Sequence, residues 1–542
     1  MGLGVVEPKQ DIVQGTIQLL DDQQASSVNS STAHLKHTPD GKIVLAPQPT
    51  DDPNDPFNRP LWHRDLSYIV VLVCTILALI HGPILAPITV NLVVEYNRSL
   101  NDIAQLTSYM LLVIGSFSYI FSVLSRKLGK RGLYLIAMVV LIASDAWAAT
   151  AGTYNALLGA RLVSGVGQAM FEAIGLAIIP DMYFVHERGK RIALFLFFSQ
   201  SGVTLGTPIA TQIAVRFGNQ WLFGGLAIAE GIMIIPLFFL FPETVYPREH
   251  VDALAHQDES VTLAQTHMTD EKTISEHVEH AESGTSIGAI PPKKSYLATL
   301  SPWSGVLSKH NVLTLLWRTV ALTFHPTILW CAIAGLSLSW PVGISFTMAP
   351  TLQAPPYLFS VTGVGNMFIA PWIGSTFALV FGGTLDRFVL VLSKRNRNVY
   401  EPEFRLWYTL PGVVFFTIGF LGWGWGVQDQ IPWSALAVFF ALIYLGALTI
   451  NTALISYLLD AHRAYAVESQ VILFAVKNFF PFGMGYFFVP WYMSAGPKTV
   501  FAIITGIMAA IAFTTIPVYM YGKKLRAYWM RKPYLGIESM YD

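Results

Sequence analysis

The chain has 542 residues, 53% of them hydrophobic and only 13% charged. Soluble globular proteins carry about 25% charged residues, so soluble domains and a wholly disordered chain are both excluded and a membrane protein is indicated. The 34 basic and 34 acidic residues cancel, which leaves no global charge to attract nucleic acid.

Residues 1–65 are polar, rich in Gln, Ser, Asp and Pro, with no basic stretch leading into an apolar core. They read as a disordered cytoplasmic tail rather than a cleaved signal peptide. A bilayer-spanning helix needs roughly 20 apolar residues. By that measure residues 66–94, 103–125, 132–152, 154–180, 192–215 and 217–242 are six spans, with Asp145 in the third, Arg161 and Glu172 in the fourth and Glu230 in the sixth. Residues 243–318 form a polar central loop, expected to be cytoplasmic. Its His277-Val278-Glu279-His280 run has metal-like spacing but no further ligands at plausible distance, so no metal site is expected. Residues 319–385 contain no Asp, Glu, Lys or Arg, a length suited to two helices. The break between them falls near Gln353-Ala354-Pro355-Pro356, because proline lacks an amide donor and disfavours helix at the residue before it. Residues 406–428, 431–459, 469–492 and 499–521 complete the set, and 522–542 form a C-terminal tail. The predicted fold is an all-α membrane protein, twelve transmembrane helices in two six-helix lobes, 66–242 and 319–521. Cys74 and Cys331 both lie in apolar runs, so a disulfide framework is not expected.

Orientation follows from basic residues in short loops. With the N-terminus inside, the inner loops and C-terminal tail hold 18 Lys and Arg, and the outer loops hold only Arg98, Arg216 and Lys498. Both termini are therefore predicted to be cytoplasmic. A six-plus-six array is the layout of a two-lobed secondary carrier with its site between the lobes. The halves correspond weakly: Cys74, Pro83 and Pro87 in the first span face Cys331, Pro341 and Pro350 in the seventh. Those prolines predict bent helices whose freed carbonyls need a partner or a water-lined cavity.

Charged groups within spans are expensive, so each is a candidate functional residue. Arg161, Gln168 and Glu172 are spaced by 7 and 4 and share one helical face. Glu172 lies eight residues before Pro180, about 12 Å along a helix and thus near the midplane, where a carboxylate can exchange a proton or hold a substrate cation. In the tenth span Trp433, Tyr444 and Asn451 share a face, and Asn451 sits at the depth of Glu172. Glu172 and Asn451 are predicted to face each other across a cavity walled by Trp340 and Tyr444, aromatic surface suited to a cation or a flat apolar substrate. Lys477 is the basic group at depth in the second half; it would bind an anion, or repel a cation until paired with Glu172. Asp145 is expected to pair with Arg161, and Glu230 has no obvious partner.

Several motifs carry a resemblance. The loop after the second span ends in Arg126-Lys127-Leu128-Gly129-Lys130-Arg131 and resembles the loop signature of the major facilitator superfamily. Gly129, Lys130 and Arg131 match it, while Ser122 and Arg126 stand where the signature has its first glycine and its aspartate. The second-half copy keeps the acid, at Gly382 and Asp386-Arg387. Arg161-Leu162-Val163-Ser164-Gly165-Val166-Gly167 looks like the arginine–glycine signature of proton-driven carriers. Gly202, Gly206 and Pro208 resemble the helix-five motif of antiporters, with Thr207 intervening. The ordered runs Asp52-Pro53-Asn54-Asp55-Pro56-Phe57-Asn58, His186-Glu187-Arg188-Gly189, Pro242-Glu243-Thr244, Pro355-Pro356-Tyr357, Glu401-Pro402-Glu403-Phe404-Arg405-Leu406 and Lys477-Asn478 resemble a fungal branch near the drug:proton antiporters, which includes histidinol- and polyamine-type carriers.

The resemblance implies a proton-coupled exporter of small organic compounds such as drugs or secondary metabolites. The alternative is a proton-coupled importer of organic cations such as polyamines; a more remote one is a non-transporting nutrient sensor. An enzyme is not expected, since there is no phosphate-binding Gly-Lys-Ser/Thr loop and neither Gly165-Val166-Gly167 nor Gly363-Val364-Gly365 has a third glycine. No cofactor is expected. The expected partners are a small-molecule substrate, protons as the coupling ion and the lipid bilayer, with the chain acting as a monomer. The plasma membrane is the expected location, the vacuolar membrane the alternative.

Overall fold

The structure is a computed structural model that describes residues 4–6, 16–18, 49–50, 52–246, 292–303, 305–307, 311–397, 399–462 and 465–530. Most of the predicted N-terminal tail, most of the central loop and the His277-Val278-Glu279-His280 run lie outside the described residues. Among the described residues, eleven helical stretches are long and apolar enough to cross a bilayer. The last, Ala466–Trp529, holds two crossings. Its backbone leaves the helical region at Gly496, with φ 77° and ψ 158°. The Phe488 and Phe501 rings on either side lie 6.4 Å apart, although 13 residues of straight helix would span about 20 Å. The chain therefore reverses there, and the described residues make twelve crossings.

The first crossing is broken. Helix α1 (Leu61–Ile80) stops at His81, and after a short 3-10 turn the chain resumes as α2 (Thr89–Tyr96). Pro83 and Pro87 sit in the gap, where each removes a donor that a continuous helix would need. Helix α3 (Leu100–Leu128) starts with a capping box: Ser99 Oγ accepts from the Asp102 amide at 3.1 Å and Asp102 accepts from the Ser99 amide at 3.1 Å. Helices α4 (Arg131–Ala149), α5 (Tyr154–Ile174), α6 (Val185–Phe217) and α7 (Gln220–Leu240) complete the first lobe.

The second lobe departs from expectation at its start. A separate short helix, α8 (Val312–Leu322), precedes the seventh crossing, which begins at Pro326 rather than at 319. Apolar content runs through this junction, but Pro326 holds His325 in an extended conformation and forces a new helix start. The seventh crossing is itself broken, as the first is. Helix α9 (Pro326–Ala334) passes through a 3-10 turn at Gly335–Leu338 into α10 (Pro341–Gln353). Helices α11 (Ile369–Arg395), α12 (Thr409–Gln428), α13 (Trp433–Ala461), α14 (Ala466–Phe513) and α15 (Thr515–Met530) follow.

Within the first lobe α1 packs on α6 and α7, and α5 on α3 and α4; in the second, α13 packs on α11 and α12. The lobes meet along two seams, α3 against α14 and α6 against α11. Outside the bundle, the run at 52–58 is a small folded knot: Asp55 caps the 3-10 turn Pro56–Asn58, and Asp52 accepts from the Tyr246 hydroxyl at 2.7 Å. Residues from the end of the central segment dock on the first lobe, with the Leu307 amide donating to the Lys127 carbonyl at 2.8 Å. Two short strands, Ile17–Gln18 and Val399–Tyr400, pair antiparallel.

Candidate functional site

A cavity lies between the two seams. Gly82 and Pro83 from the break after α1, Gln168 and Glu172 on α5, and Ser199 and Gln200 on α6 line its first-lobe side. Ser339, Tyr444, Phe474, Lys477 and Asn478 line the other. Glu172 is buried, and both its oxygens are engaged across the seam: Lys477 Nζ donates to Oε1 and Asn478 Nδ2 donates to Oε2 at 3.1 Å. Lys477 also lies 5.7 Å from the Phe474 ring centroid, and its backbone carbonyl accepts from Ser339 Oγ at 2.7 Å. One carboxylate, one ammonium and one amide therefore tie the lobes together at the cavity wall. Charge-assisted hydrogen bonds of this kind are strong where water is scarce.

The predicted residues divide. Gln168, Glu172, Tyr444 and Lys477 line the cavity. Arg161 does not. It turns into the first lobe, where Nη2 donates to the His81 carbonyl at 2.6 Å. Trp340 does not either: its ring packs edge-on against Phe480 at 4.7 Å. Asn451 sits at the predicted depth but behind the cavity, donating to Ser337 Oγ at 2.8 Å and to the Ala447 carbonyl at 2.9 Å. It braces the 3-10 turn in the seventh crossing instead of facing Glu172. Asn478, Ser199 and Gln200 are cavity residues the site prediction missed. Neutral polar residues in a span carry little signal by themselves, although Asn478 adjoins Lys477. The expected Asp145–Arg161 pair is also corrected: Asp145 Oδ1 lies 2.9 Å from His81 Nε2, and Glu230 Oε1 lies 4.0 Å from that same nitrogen.

The loop motifs sit at the end of the bundle that carries the basic loops. Gly129 has φ 86°, and a Cβ there would lie 2.3 Å from Glu243 Oε2, so only glycine fits. The Lys130 and Arg131 amides donate to Glu243 at 3.0 and 3.2 Å, Lys130 Nζ pairs with Asp181 at 2.5 Å, and Arg131 Nη2 donates to the Phe238 carbonyl at 2.6 Å. Arg126 pairs with Glu468 in the first turn of α14, across the seam. In the second half Asp386 accepts from Arg405 at 3.0 Å, Arg405 also pairs with Asp460 at 2.5 Å, and Arg387 is exposed. In helix five, Gly202 and Gly206 meet α1 closely: an added Cβ would lie 2.5 Å from the Ile76 carbonyl and 2.2 Å from Ile80. Pro208 lies inside the helix, between them and its end.

Two six-helix lobes with broken first and seventh helices around a polar cavity have the architecture of a secondary carrier. The Major Facilitator Superfamily profile matches residues 70–474, and the chain belongs to that family. Protein HOL1 of Saccharomyces cerevisiae is 22% identical over 98% of this chain and 98% of its own length. The multidrug transporter DTR1 of Candida glabrata is 26% identical over 77% of this chain and 76% of its own. Among solved structures, the proton:xylose symporter XylE superposes with a TM-score of 0.57 at 14% identity, covering 86% of this chain and 99% of that one. The human organic anion transporter MFSD10 superposes with a TM-score of 0.52 at 15% identity, covering 84% and 100%. At these identities the structural likeness concerns the fold.

Proposed function

We infer that the protein is a proton-coupled exporter of small organic compounds, acting as a monomer in the plasma membrane with both termini in the cytoplasm. The observation that carries this reading is the Glu172–Lys477–Asn478 tie across the lobes, set in the wall of the cavity. A cationic or amphipathic substrate that reaches Glu172 competes with Lys477 for the carboxylate. Its arrival loosens the tie, and its departure lets the tie re-form, which links occupancy to the relation between the lobes. Tyr444, Phe474 and Phe346 supply apolar and aromatic surface for a flat substrate. The export direction is supported by relatives named as efflux pumps and a multidrug transporter. The division into a first lobe at 66–242 and a second lobe to residue 521, which opens with the seventh crossing at Pro326, joined by a cytoplasmic loop, belongs to the same proposal.

A second reading, import of organic cations such as polyamines, draws on the Glu172 carboxylate, which offers a countercharge to an amine. The two are separated in liposomes holding the full chain under an imposed pH gradient, with spermidine and the lipophilic dye ethidium as probes. Ethidium moving against protons, with spermidine ignored, is the expected result. Spermidine moving with protons establishes the importer. If neither probe responds to the gradient, the proton-coupled cation reading fails.

A further inference from the structure

The first lobe contains a second set of ionisable groups that the cavity does not use. His81 at the end of α1, Asp145 on α4, Arg161 on α5 and Glu230 on α7 meet inside the lobe, each at most 1% exposed. Their hydrogen bonds count protons. His81 Nδ1 lies 3.0 Å from the Ala78 carbonyl, which only accepts, so Nδ1 carries a hydrogen. His81 Nε2 lies 2.9 Å from Asp145 Oδ1, a carboxylate oxygen, so a hydrogen lies there too. Both ring nitrogens thus face acceptors, and the pair holds one proton more than a neutral imidazole beside a carboxylate. Charge counting agrees. Arg161 with ionised Asp145 and Glu230 sums to one negative charge, and a single added proton makes the sealed cluster neutral. A divalent metal ion in its place would leave one positive charge uncancelled beside Arg161.

We propose that the His81 ring, held between Asp145 and Glu230, is the coupling-proton site of this carrier, separate from the Glu172–Lys477 pair. Glu230 is the second seat: Oε1 is 4.0 Å from His81 Nε2, and neither of its oxygens has a hydrogen-bond partner among the described residues. Asp145 Oδ2 and two Arg161 nitrogens, Nε and Nη1, are likewise without partners. Unmade bonds among buried charges are costly, and a proton passing from His81 toward Glu230, with a small shift of Arg161, re-forms them in a new pattern. Among the described residues, Cys74 on α1 also faces Glu230, a thiol that brings no charge in its protonated form.

The site is wired to the cavity by the backbone. His81 ends α1, its carbonyl accepts from Arg161, and the next two residues, Gly82 and Pro83, line the cavity. Arg161 in turn lies on the same helix as Glu172. Loss of the proton leaves a net negative charge beside the break in the first crossing, the segment that lines the cavity.

The test has two arms, and only the second rests on the proton-coupled reading above. In the first, the full chain with 15N-labelled histidine is placed in lipid nanodiscs near neutral pH. One histidine is expected to be protonated at both ring nitrogens, and its signal to vanish in His81→Gln. In Asp145→Asn, which keeps the shape of the site, the His81 ring is expected to become neutral. A neutral His81 ring in the unmodified protein overturns the proposal. In the second arm, the ratio of ethidium or spermidine flux with a pH gradient to flux without one is expected to fall to near one in Asp145→Asn and Glu230→Gln. An unchanged ratio overturns the coupling role. If the unmodified protein moves neither probe with the gradient, the transport reading fails for these probes and the ring protonation alone decides the site.

Discussion

The two buried charge clusters of this protein are built on opposite principles. The Glu172 cluster spans the seam, borders the cavity and satisfies both carboxylate oxygens, with partners supplied by the other lobe. The His81 cluster lies wholly within the first lobe, is sealed from the cavity and leaves three carboxylate oxygens without partners. The first is made or broken by moving the lobes or by bringing in a competing cation. The second can change its charge by one proton with the lobes in place. Position relative to the seam, more than the mere presence of charge in a span, separates a group suited to sensing substrate from one suited to holding a proton.

The sharpest way to break that comparison is to remove Lys477. Lys477→Ala leaves the Glu172 carboxylate buried with Asn478 as its remaining polar partner, and loss of one member of a buried ion pair typically costs about 3–5 kcal/mol. Probe flux in liposomes is expected to fall more than ten-fold, and the thermal unfolding midpoint to drop. Adding Glu172→Gln to that variant is expected to restore the midpoint without restoring flux. Flux close to that of the unmodified protein in Lys477→Ala would remove the seam pair from the transport cycle.

A smaller effect is expected at the end of the bundle that carries the basic loops. Arg126 stands where the loop signature has an acid, and it pairs with Glu468 in the first turn of α14. A cation at a helix N-terminus is unfavourable on its own, and Glu468 supplies the compensating charge. The polarity of this contact is thus the reverse of what the signature implies, and it holds the seam with a partner acid instead of a helix dipole. Arg126→Glu places two carboxylates together and is expected to cost about 1.5–3 kcal/mol, the range of a hydrogen bond between charged groups. The double exchange Arg126→Glu with Glu468→Arg is expected to recover most of it, measured as thermal midpoint and flux together.

How far the sequence could be read follows the same divide. Charged residues in apolar spans announced Glu172, Lys477 and Arg161, because their cost in lipid demands a reason. His81 carries a weak signal: an imidazole is mostly uncharged at neutral pH in its ordinary state, so residues 66–94 read as charge-free. Glu230, an acid in a span with no evident partner, is the signal the sequence offers; Asp145, assigned to Arg161, pairs with His81 instead. Asn451 shows the opposite error. Depth along a helix follows from residue counting, but the direction a side chain takes depends on how the helix is turned toward its neighbours, and Asn451 turned toward Ser337. The broken first and seventh helices were legible from prolines. The start of the seventh crossing was not, since hydropathy does not register that α8 stops at Leu322 and that Pro326 opens a new helix.

The smallest expected effect lies in the second-half loop and completes the contrast between halves. Asp386 keeps the acid of the signature, yet its side chain is 65% exposed and its partner Arg405 comes from the same lobe. Arg405 is held more firmly elsewhere: it donates to the Tyr400 hydroxyl at 3.0 Å and pairs with Asp460, whose side chain is 26% exposed. Exposed ion pairs contribute about 0–1 kcal/mol, because water screens them and holding two long side chains costs entropy. Asp386→Asn should therefore shift the thermal midpoint only slightly, and Asp460→Asn should shift it more. Neither contact crosses the seam, so Asp386→Asn should leave the ratio of driven to undriven flux where it was. A loss of flux in Asp386→Asn larger than in Arg126→Glu would mean that the acid of the second-half loop, and not the reversed pair of the first, governs how the lobes move.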